Sequence, residues 1–108
     1  MKRGELWTAA GGKDYAGKPR PVLIIQDDRF DATASITVCP LTSDPTEIPL
    51  LRIALSPNDI NGLDAPSSLM LDKVTTMPRS KLGERIGQVS DTEMIALSRG
   101  LVVFLGLA

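Results

Sequence analysis

The sequence contains no histidine among its 108 residues and only one cysteine, Cys39. Without histidine, acid–base chemistry has to use carboxylates, lysine, arginine or hydroxyl groups. A histidine-dependent nuclease, a histidine-based catalytic triad and a histidine metal site are therefore excluded. One cysteine cannot form an internal disulfide and is too few for the usual structural zinc sites. Because Cys39 lies between Val38 and Pro40 in an apolar run, we predict a buried structural thiol and not a nucleophile.

The chain also lacks an excess of charge and any long apolar run. Twelve basic and thirteen acidic residues give a net charge of −1, so binding to nucleic acid would depend on a local basic patch. No apolar run approaches the length of a membrane span, and the first residues lack the apolar core of a signal peptide. We therefore expect a cytoplasmic protein without membrane association. The length and the 43% hydrophobic content predict one folded domain over residues 1–108.

The apolar pattern predicts five to seven short strands. They are expected at residues 6–10, 21–26, 35–41, 50–55, 67–71, 74–77 and 85–89. Residues 21–26 are apolar on both faces, which is typical of a central strand covered on both sides. Pro40 is expected to end the third strand, and Arg52 to project from the outer face of the fourth. Strands of this length favour a small, partly open barrel or a sandwich.

The last element is predicted to be a helix. Ser90 and Glu93 have the spacing of a capping box, and Gly106 lies where a helix would end. Between them, apolar residues recur at helical spacing: Met94, Ile95, Leu97, Leu101, Val102 and Leu105. This apolar face is wider than a small barrel needs, so part of it is expected to contact a second copy of the chain.

Residues 17–25 form a basic, proline-stiffened loop that runs directly into an apolar strand. Pro19 and Pro21 restrict the backbone on both sides of Arg20, which holds this arginine in an extended conformation beside the sheet. Its planar guanidinium suits a phosphate or a carboxylate. An ordinary surface ion pair is the simpler alternative.

Three polar clusters follow apolar strands, and loops at one end of a compact barrel converge. RNA cleavage through the ribose 2′-hydroxyl needs a proton acceptor, a cation facing the phosphorane and help for the leaving 5′-oxygen. The clusters could equally be a surface ion pair, a turn and a bend. They are Lys18 with Arg20, Thr42 with Ser43, and Asp72 with Lys73.

Five segments, in this order, resemble the MazF/PemK (Kid) toxins of type II toxin–antitoxin systems. Residues 2–7 are similar to the family opening RGEIW, and residues 17–25 to G-x-RPVLII. Residues 38–43 resemble VVPVTS, and residues 71–76 resemble LDQIRTI. Residues 85–89, followed by the capped helix, complete the order. The resemblance covers almost the whole chain.

The resemblance implies a mainly β protein with a C-terminal helix, folded as an SH3-like small barrel. It implies a sequence-selective, metal-independent endoribonuclease, or mRNA interferase, that acts as a homodimer on single-stranded RNA and needs no cofactor. The family's catalytic arginine and threonine fall on Arg20 and Thr42. The RNA-binding residues expected beside them are Lys13, Lys18, Ser43, Asp72 and Lys73. A cognate antitoxin is the expected partner, and operator DNA would be reached only through that antitoxin.

Two alternatives stay open at the level of sequence: a CcdB-like toxin directed at DNA gyrase, and a non-catalytic SH3-like binding module. The chain also departs from the family pattern at three places. Asp14 and Tyr15 stand where some members have histidine or glutamate, Pro19 is an additional residue, and Met70 replaces an arginine found in one branch. These departures leave the proton acceptor unassigned.

Overall fold

A computed structural model describes residues 1–10 and 18–107 of the chain. Within these ranges seven strands precede one helix, in agreement with the predicted pattern. The strands are β1 (Glu5–Ala9), β2 (Arg20–Ile24), β3 (Ser35–Thr42), β4 (Arg52–Leu55), β5 (Ser67–Met70), β6 (Thr75–Pro78) and β7 (Leu82–Gln88). The helix, α1, spans Asp91–Phe104.

All strand pairs are antiparallel, and the strand order is β4-β5-β3-β2-β1-β7, with β6 also paired to β3. Strand β2 is central, as predicted, and its alternate side chains enter two separate core clusters. Leu23 lies in the larger cluster, which also contains Leu97 of α1, whereas Val22 and Ile24 lie in the smaller one. The period-two alternation of a strand explains this division.

Strand β3 changes partner along its length. Its first half pairs with β6 as far as Val38, and its last residues, Leu41 and Thr42, pair with β5. Pro40 lies between these two ladders and opposite Val22 of β2. The prediction that Pro40 ends the strand is therefore wrong. A residue without an N–H is accommodated where the strand leaves one neighbour for another.

Strand β4 also differs from its prediction, because it begins at Arg52 and not at residue 50. Leu50 has a positive φ of 69°, which places it in the preceding turn. Ile53 and Leu55 of β4 pack in the larger core cluster, so Arg52 projects from the opposite, outer face, as predicted. Its side chain is nevertheless only 12% exposed and forms an ion pair with Asp72. The nearby carboxylate makes partial burial of this charge possible.

The capping box at the start of α1 is confirmed. The Ser90 backbone N–H donates to Glu93 Oε1 at 2.8 Å, and the Glu93 N–H donates to Ser90 Oγ at 3.1 Å. The helix exposes Ile95 in its first half and Val102, Val103 and Phe104 at its end, and the following residue, Leu105, is also exposed. In the two described ranges, no helix has both the length and the apolar character needed to cross a membrane.

Candidate phosphate-binding cleft

A cleft of about 260 Å³ opens where β2 begins and β3 ends, and both Arg20 and Thr42 line it. Strands β2 and β3 are in register from Val22 opposite Pro40 to Ile24 opposite Val38. Arg20 is the first residue of β2 and Thr42 is the last residue of β3, so both lie at the same end of this antiparallel pair. A half-buried guanidinium and a hydroxyl therefore face the same space.

The hydroxyl of Thr42 is oriented by the turn that follows β3. Thr42 Oγ1 accepts a hydrogen bond from the Asp44 backbone N–H at 3.1 Å. A threonine hydroxyl has one proton to donate, and accepting this bond leaves that proton available for a ligand in the cleft. The turn thus positions the oxygen atom without using its donor.

Residues 43–49, here called the 43–49 loop, are all exposed and hold their shape by short-range hydrogen bonds. Asp44 Oδ1 accepts from both the backbone N–H and the hydroxyl of Thr46, at 2.9 and 2.7 Å. The Thr46 hydroxyl, followed by the Thr46 backbone and the charge of Arg52, lowers the pKa of Asp44. The loop therefore carries a well-stabilised carboxylate at the rim.

The 56–66 loop, residues 56–66, forms the opposite wall through Gly62, Leu63, Asp64 and Ala65. Asn61 is 1% exposed and organises this loop. Its Nδ2 donates to the Ser56 carbonyl at 2.8 Å, and its Oδ1 accepts from the backbone of Asn58 and Leu63. The buried amide thereby satisfies three backbone groups that the loop leaves unpaired.

Two further clefts continue from the first one. A cleft of about 430 Å³ lies along the 43–49 loop and shares Ser43 and Ser67 with the first. A smaller cleft of about 160 Å³ shares Thr42 with the first and is also lined by Arg52 and Lys73. The three clefts adjoin one another, because Thr42 and Ser43 each line two of them, and together they are here called the Thr42 groove.

The other residues predicted for the site lie at different places in this groove or outside it. Ser43 lines two of the clefts, and Lys73 lines the smallest. Asp72 lies beside Lys73 in the short 3₁₀ turn Leu71–Lys73 and pairs with Arg52. Lys18 is exposed just before β2 and is absent from the lining of all three clefts. Lys13 lies outside the described residues.

Sequence reasoning missed Arg52 and the 56–66 loop. Arg52 reaches the groove because β4 pairs with β5 and sets Arg52 opposite Met70, two residues before Asp72. This pairing joins residues that are far apart in sequence, so no local pattern reveals it. The Asn-Gly step at Asn61 and Gly62 was a readable signal for a structured turn, although not for its position beside Arg20.

Cys39 is fully buried, as the sequence predicted, and its thiol donates a hydrogen bond to the Met70 carbonyl. Burial raises the pKa of this thiol to about 12. A thiol of this kind stays protonated at neutral pH and is a poor nucleophile. Across residues 1–10 and 18–107, no group of three or more Asp, Glu or Cys side chains could hold a metal ion.

The chain is therefore a small, mainly β protein whose antiparallel sheet brings an arginine and a threonine hydroxyl to the same cleft. The chain belongs to the PemK-like, MazF-like toxin family of type II toxin–antitoxin systems, which matches residues 2–105. A probable endoribonuclease MazF from Mycolicibacterium smegmatis is 58% identical over 108 residues, covering 100% of this chain and 99% of that relative.

Two solved structures have the same fold at 26% sequence identity and a TM-score of 0.81. One is an endoribonuclease from a mycobacterial species in complex with its cognate antitoxin, matched over 100% of this chain and 97% of that one. The other is the Mycobacterium tuberculosis toxin MazF-mt6, matched over 96% and 98%. The predicted family and the predicted mainly β fold with a C-terminal helix are therefore confirmed. These relatives support neither the gyrase-directed alternative nor the non-catalytic one.

Proposed function

We propose that this protein is a sequence-selective, metal-independent endoribonuclease toxin that cleaves single-stranded RNA at Arg20 and Thr42. The observation that carries the proposal is that Arg20 and Thr42, from neighbouring strands, line the same cleft. The family membership and the 58% identity to a probable endoribonuclease support the same activity.

In this mechanism the ribose 2′-oxygen attacks the adjacent phosphorus, and the bond from phosphorus to the 5′-oxygen breaks. The 2′-proton passes to a proton acceptor, and the leaving 5′-oxygen gains a proton. The products are a cyclic phosphate, or a 3′-phosphate after hydrolysis, and a 5′-hydroxyl. The reaction is a displacement at phosphorus without a change of oxidation state.

Arg20 would neutralise the charge that develops on the phosphorane, because its guanidinium stays protonated and its fork matches two phosphate oxygens. Thr42 would donate its hydroxyl proton to a non-bridging oxygen while the Asp44 N–H fixes the position of Oγ1. A preorganised donor of this kind stabilises the transition state more than the ground state. Ser43, Lys73, Lys18 and Lys13 would bind neighbouring parts of the RNA, and Asp72 would hold Arg52.

The proposal extends to assembly. The exposed apolar side chains at the end of α1 would form part of a homodimer interface, because a row of such residues on a monomer marks an interaction surface. A cognate antitoxin would bind the toxin and cover the Thr42 groove, and operator DNA would be contacted only through that antitoxin. We further propose that residues 1–108 form one toxin domain that acts in the cytoplasm without a cofactor.

The test is cleavage of a long mixed-sequence RNA in the presence of EDTA. The wild-type protein should cleave it, and Arg20→Ala should be about 10²–10³-fold slower, as expected for loss of one preorganised donor. Arg29→Ala is the matched control, because it removes an arginine whose side chain is 81% exposed and lies outside the groove. Intact RNA with the wild-type protein, or equal rates for Arg20→Ala, would exclude the enzyme proposed here.

One modified substrate tests the role of the 2′-hydroxyl, and two variants test the role of the Thr42 hydroxyl. A 2′-deoxy residue at the cleaved position should block the reaction, and cleavage there would rule out 2′-hydroxyl attack. Thr42→Ser should keep most of the activity because it keeps the hydroxyl, whereas Thr42→Val should lose it.

A further inference from the structure

We propose that Arg52 is a second phosphate-binding residue of the Thr42 groove and contacts the phosphate next to the one that is cleaved. The inference rests on the proposed function for the identity of the ligand, a single-stranded RNA. It rests on geometry alone for the position of the arginine. Asp72 acts as a positioning residue that holds Arg52 in place.

The backbone of Arg52 is fixed by the sheet. Arg52 is the first residue of β4, opposite Met70 of β5, and the Leu71 N–H donates to the Leu51 carbonyl at 3.0 Å. Its side chain is 12% exposed, which is low for an arginine outside a deep core. The guanidinium therefore has a defined position and not the freedom of a surface side chain.

One edge of this guanidinium is paired and the other is open. Nη1 donates to Asp72 Oδ1 and, at 3.0 Å, to the Leu51 carbonyl. Nε and Nη2 have no hydrogen-bond partner among the described residues, yet no buried polar side-chain atom there lacks one. Nε and Nη2 are therefore not completely buried. An arginine held by one carboxylate with free N–H groups beside it is suited to bind an oxyanion.

Arg52 lines the groove that contains the proposed reaction site. Arg52 lines the 430 Å³ and the 160 Å³ clefts, and Thr42 lines the 160 Å³ cleft as well as the one that contains Arg20. A strand of RNA whose phosphate lies between Arg20 and Thr42 would continue past Thr42 towards Arg52. The groove thus offers cations on both sides of the threonine.

The other charged groups along this path either support phosphate binding at Arg52 or oppose it. Lys73 lines the same small cleft and adds a second positive charge, whereas Asp44 lines it with a negative one. Glu47 lines the larger cleft. Asp44 Oδ1 accepts from Thr46, and Asp72 Oδ1 accepts from Arg52 Nη1, so neither of these hydrogen bonds uses Nε or Nη2 of Arg52.

A purely structural role is the alternative, in which the Arg52–Asp72 pair only ties β4 to the turn after β5. The two roles differ in their dependence on salt. Neutralising one phosphate of a single strand contributes about 0.7 to the slope of log affinity against log salt concentration. A structural pair contributes nothing to that slope.

The experiment measures binding of a fluorescent mixed-sequence 2′-fluoro RNA oligonucleotide, which lacks the attacking hydroxyl, at several salt concentrations. Arg52→Ala should weaken binding about tenfold at moderate salt and reduce the slope by about 0.7. Arg52→Lys should keep the slope, since it keeps the charge, and bind more weakly because it loses the fork. Asp72→Asn should keep the slope, because the cation remains. Arg29→Ala is the control for loss of a paired arginine elsewhere and should change neither value.

The inference is overturned if Arg52→Ala keeps the wild-type slope, or if Arg52→Ala and Asp72→Asn weaken binding equally with unchanged slopes. Thermal unfolding identifies variants that do not fold. If Arg52→Ala is one of them, Arg52→Lys is compared with Asp72→Asn instead. Failure of the proposed function is a separate result, because it appears as intact all-ribose RNA with the wild-type protein. A reduced slope for Arg52→Ala would still support RNA binding by this residue in that case.

Discussion

The two walls of the groove are held in different ways. The 56–66 loop is anchored to a distant strand: the Gln88 N–H of β7 donates to the Ile60 carbonyl at 3.0 Å, and Leu63 is buried in the larger core cluster. The 43–49 loop is exposed throughout, and its hydrogen bonds join residues no more than four positions apart. One wall is thus a packed part of the barrel, and the other is a self-contained turn that can adjust to a ligand.

The largest effect is expected from Gly62→Ala, which removes the close approach of the packed wall to β7. Gly62 has a φ of +65°, and a Cβ there would lie 2.0 Å from the Ile86 carbonyl oxygen. Because the clashing atom belongs to the backbone of a strand, it cannot shift without disturbing the sheet. We therefore expect the free energy of unfolding to fall by about 3 kcal/mol. Chemical denaturation measures this change.

Gly106→Ala is the matched control for that substitution. Gly106 has a similar φ of +71°, but nothing lies within 4 Å of a Cβ built there. Replacing it with alanine should lower the free energy of unfolding only by the strain of a positive φ, about 1 kcal/mol. Equal losses for the two variants would show that the contact with β7 does not hold the wall.

This difference between the walls explains how much of the site the sequence could predict. The turn after Thr42 uses short-range chemistry, and its residues were identified from the local pattern. Arg20 and Thr42 were predicted from a resemblance to a family, and the fold brings them to neighbouring strands, β2 and β3. Arg52 and Asn61 were not predicted as site residues, because their positions depend on strand pairing and on contacts with β7.

What the sequence did not predict about the strands has the same origin. Pro40 was expected to end a strand because proline lacks a donor, but the exchange of partners along β3 accommodates it. Arg52 was expected on the outer face of its strand and lies there, but no local pattern revealed its pairing with Asp72 from another turn. In both cases a tertiary contact adds what a local rule does not contain.

The second largest effect on stability is expected from the titration of Cys39. This residue shares the larger core cluster with Leu63 of the packed wall. Its pKa rises from the ordinary 9.0 to about 12 in the folded protein. A raised folded pKa means that the stabilising contribution is complete below pH 9 and is lost as the pH rises towards 12. At pH 10 the loss from this group is about 1.4 kcal/mol, measurable as a fall in the free energy of unfolding between pH 8 and pH 10.

Cys39→Ala is the comparison for this pH effect, because it removes the titrating group. It should be less stable at pH 8, since a buried side chain is truncated, yet its stability should fall less between pH 8 and pH 10. Other groups that titrate in this range affect both proteins alike and cancel in the difference. Parallel pH profiles for the two proteins would show that the thiol titrates normally and that the core beneath this wall is open to water.

The smallest effect is expected from Thr46→Val in the exposed wall. The substitution removes the hydroxyl that donates to Asp44 at 2.7 Å and leaves the backbone donor in place, so the lowered pKa of Asp44 should rise part of the way towards its ordinary value of 3.8. Both bonds favour the carboxylate, so they are complete above pH 3.8 and are lost as the pH falls through the lowered pKa. An NMR titration of the Asp44 side chain measures the shift, with Thr46→Ser as the control that keeps the hydroxyl. The thermal midpoint at neutral pH should stay unchanged, because nothing in the core depends on this loop. A clear fall in that midpoint would mean that the 43–49 loop is anchored like the opposite wall, and the contrast between the two would no longer hold.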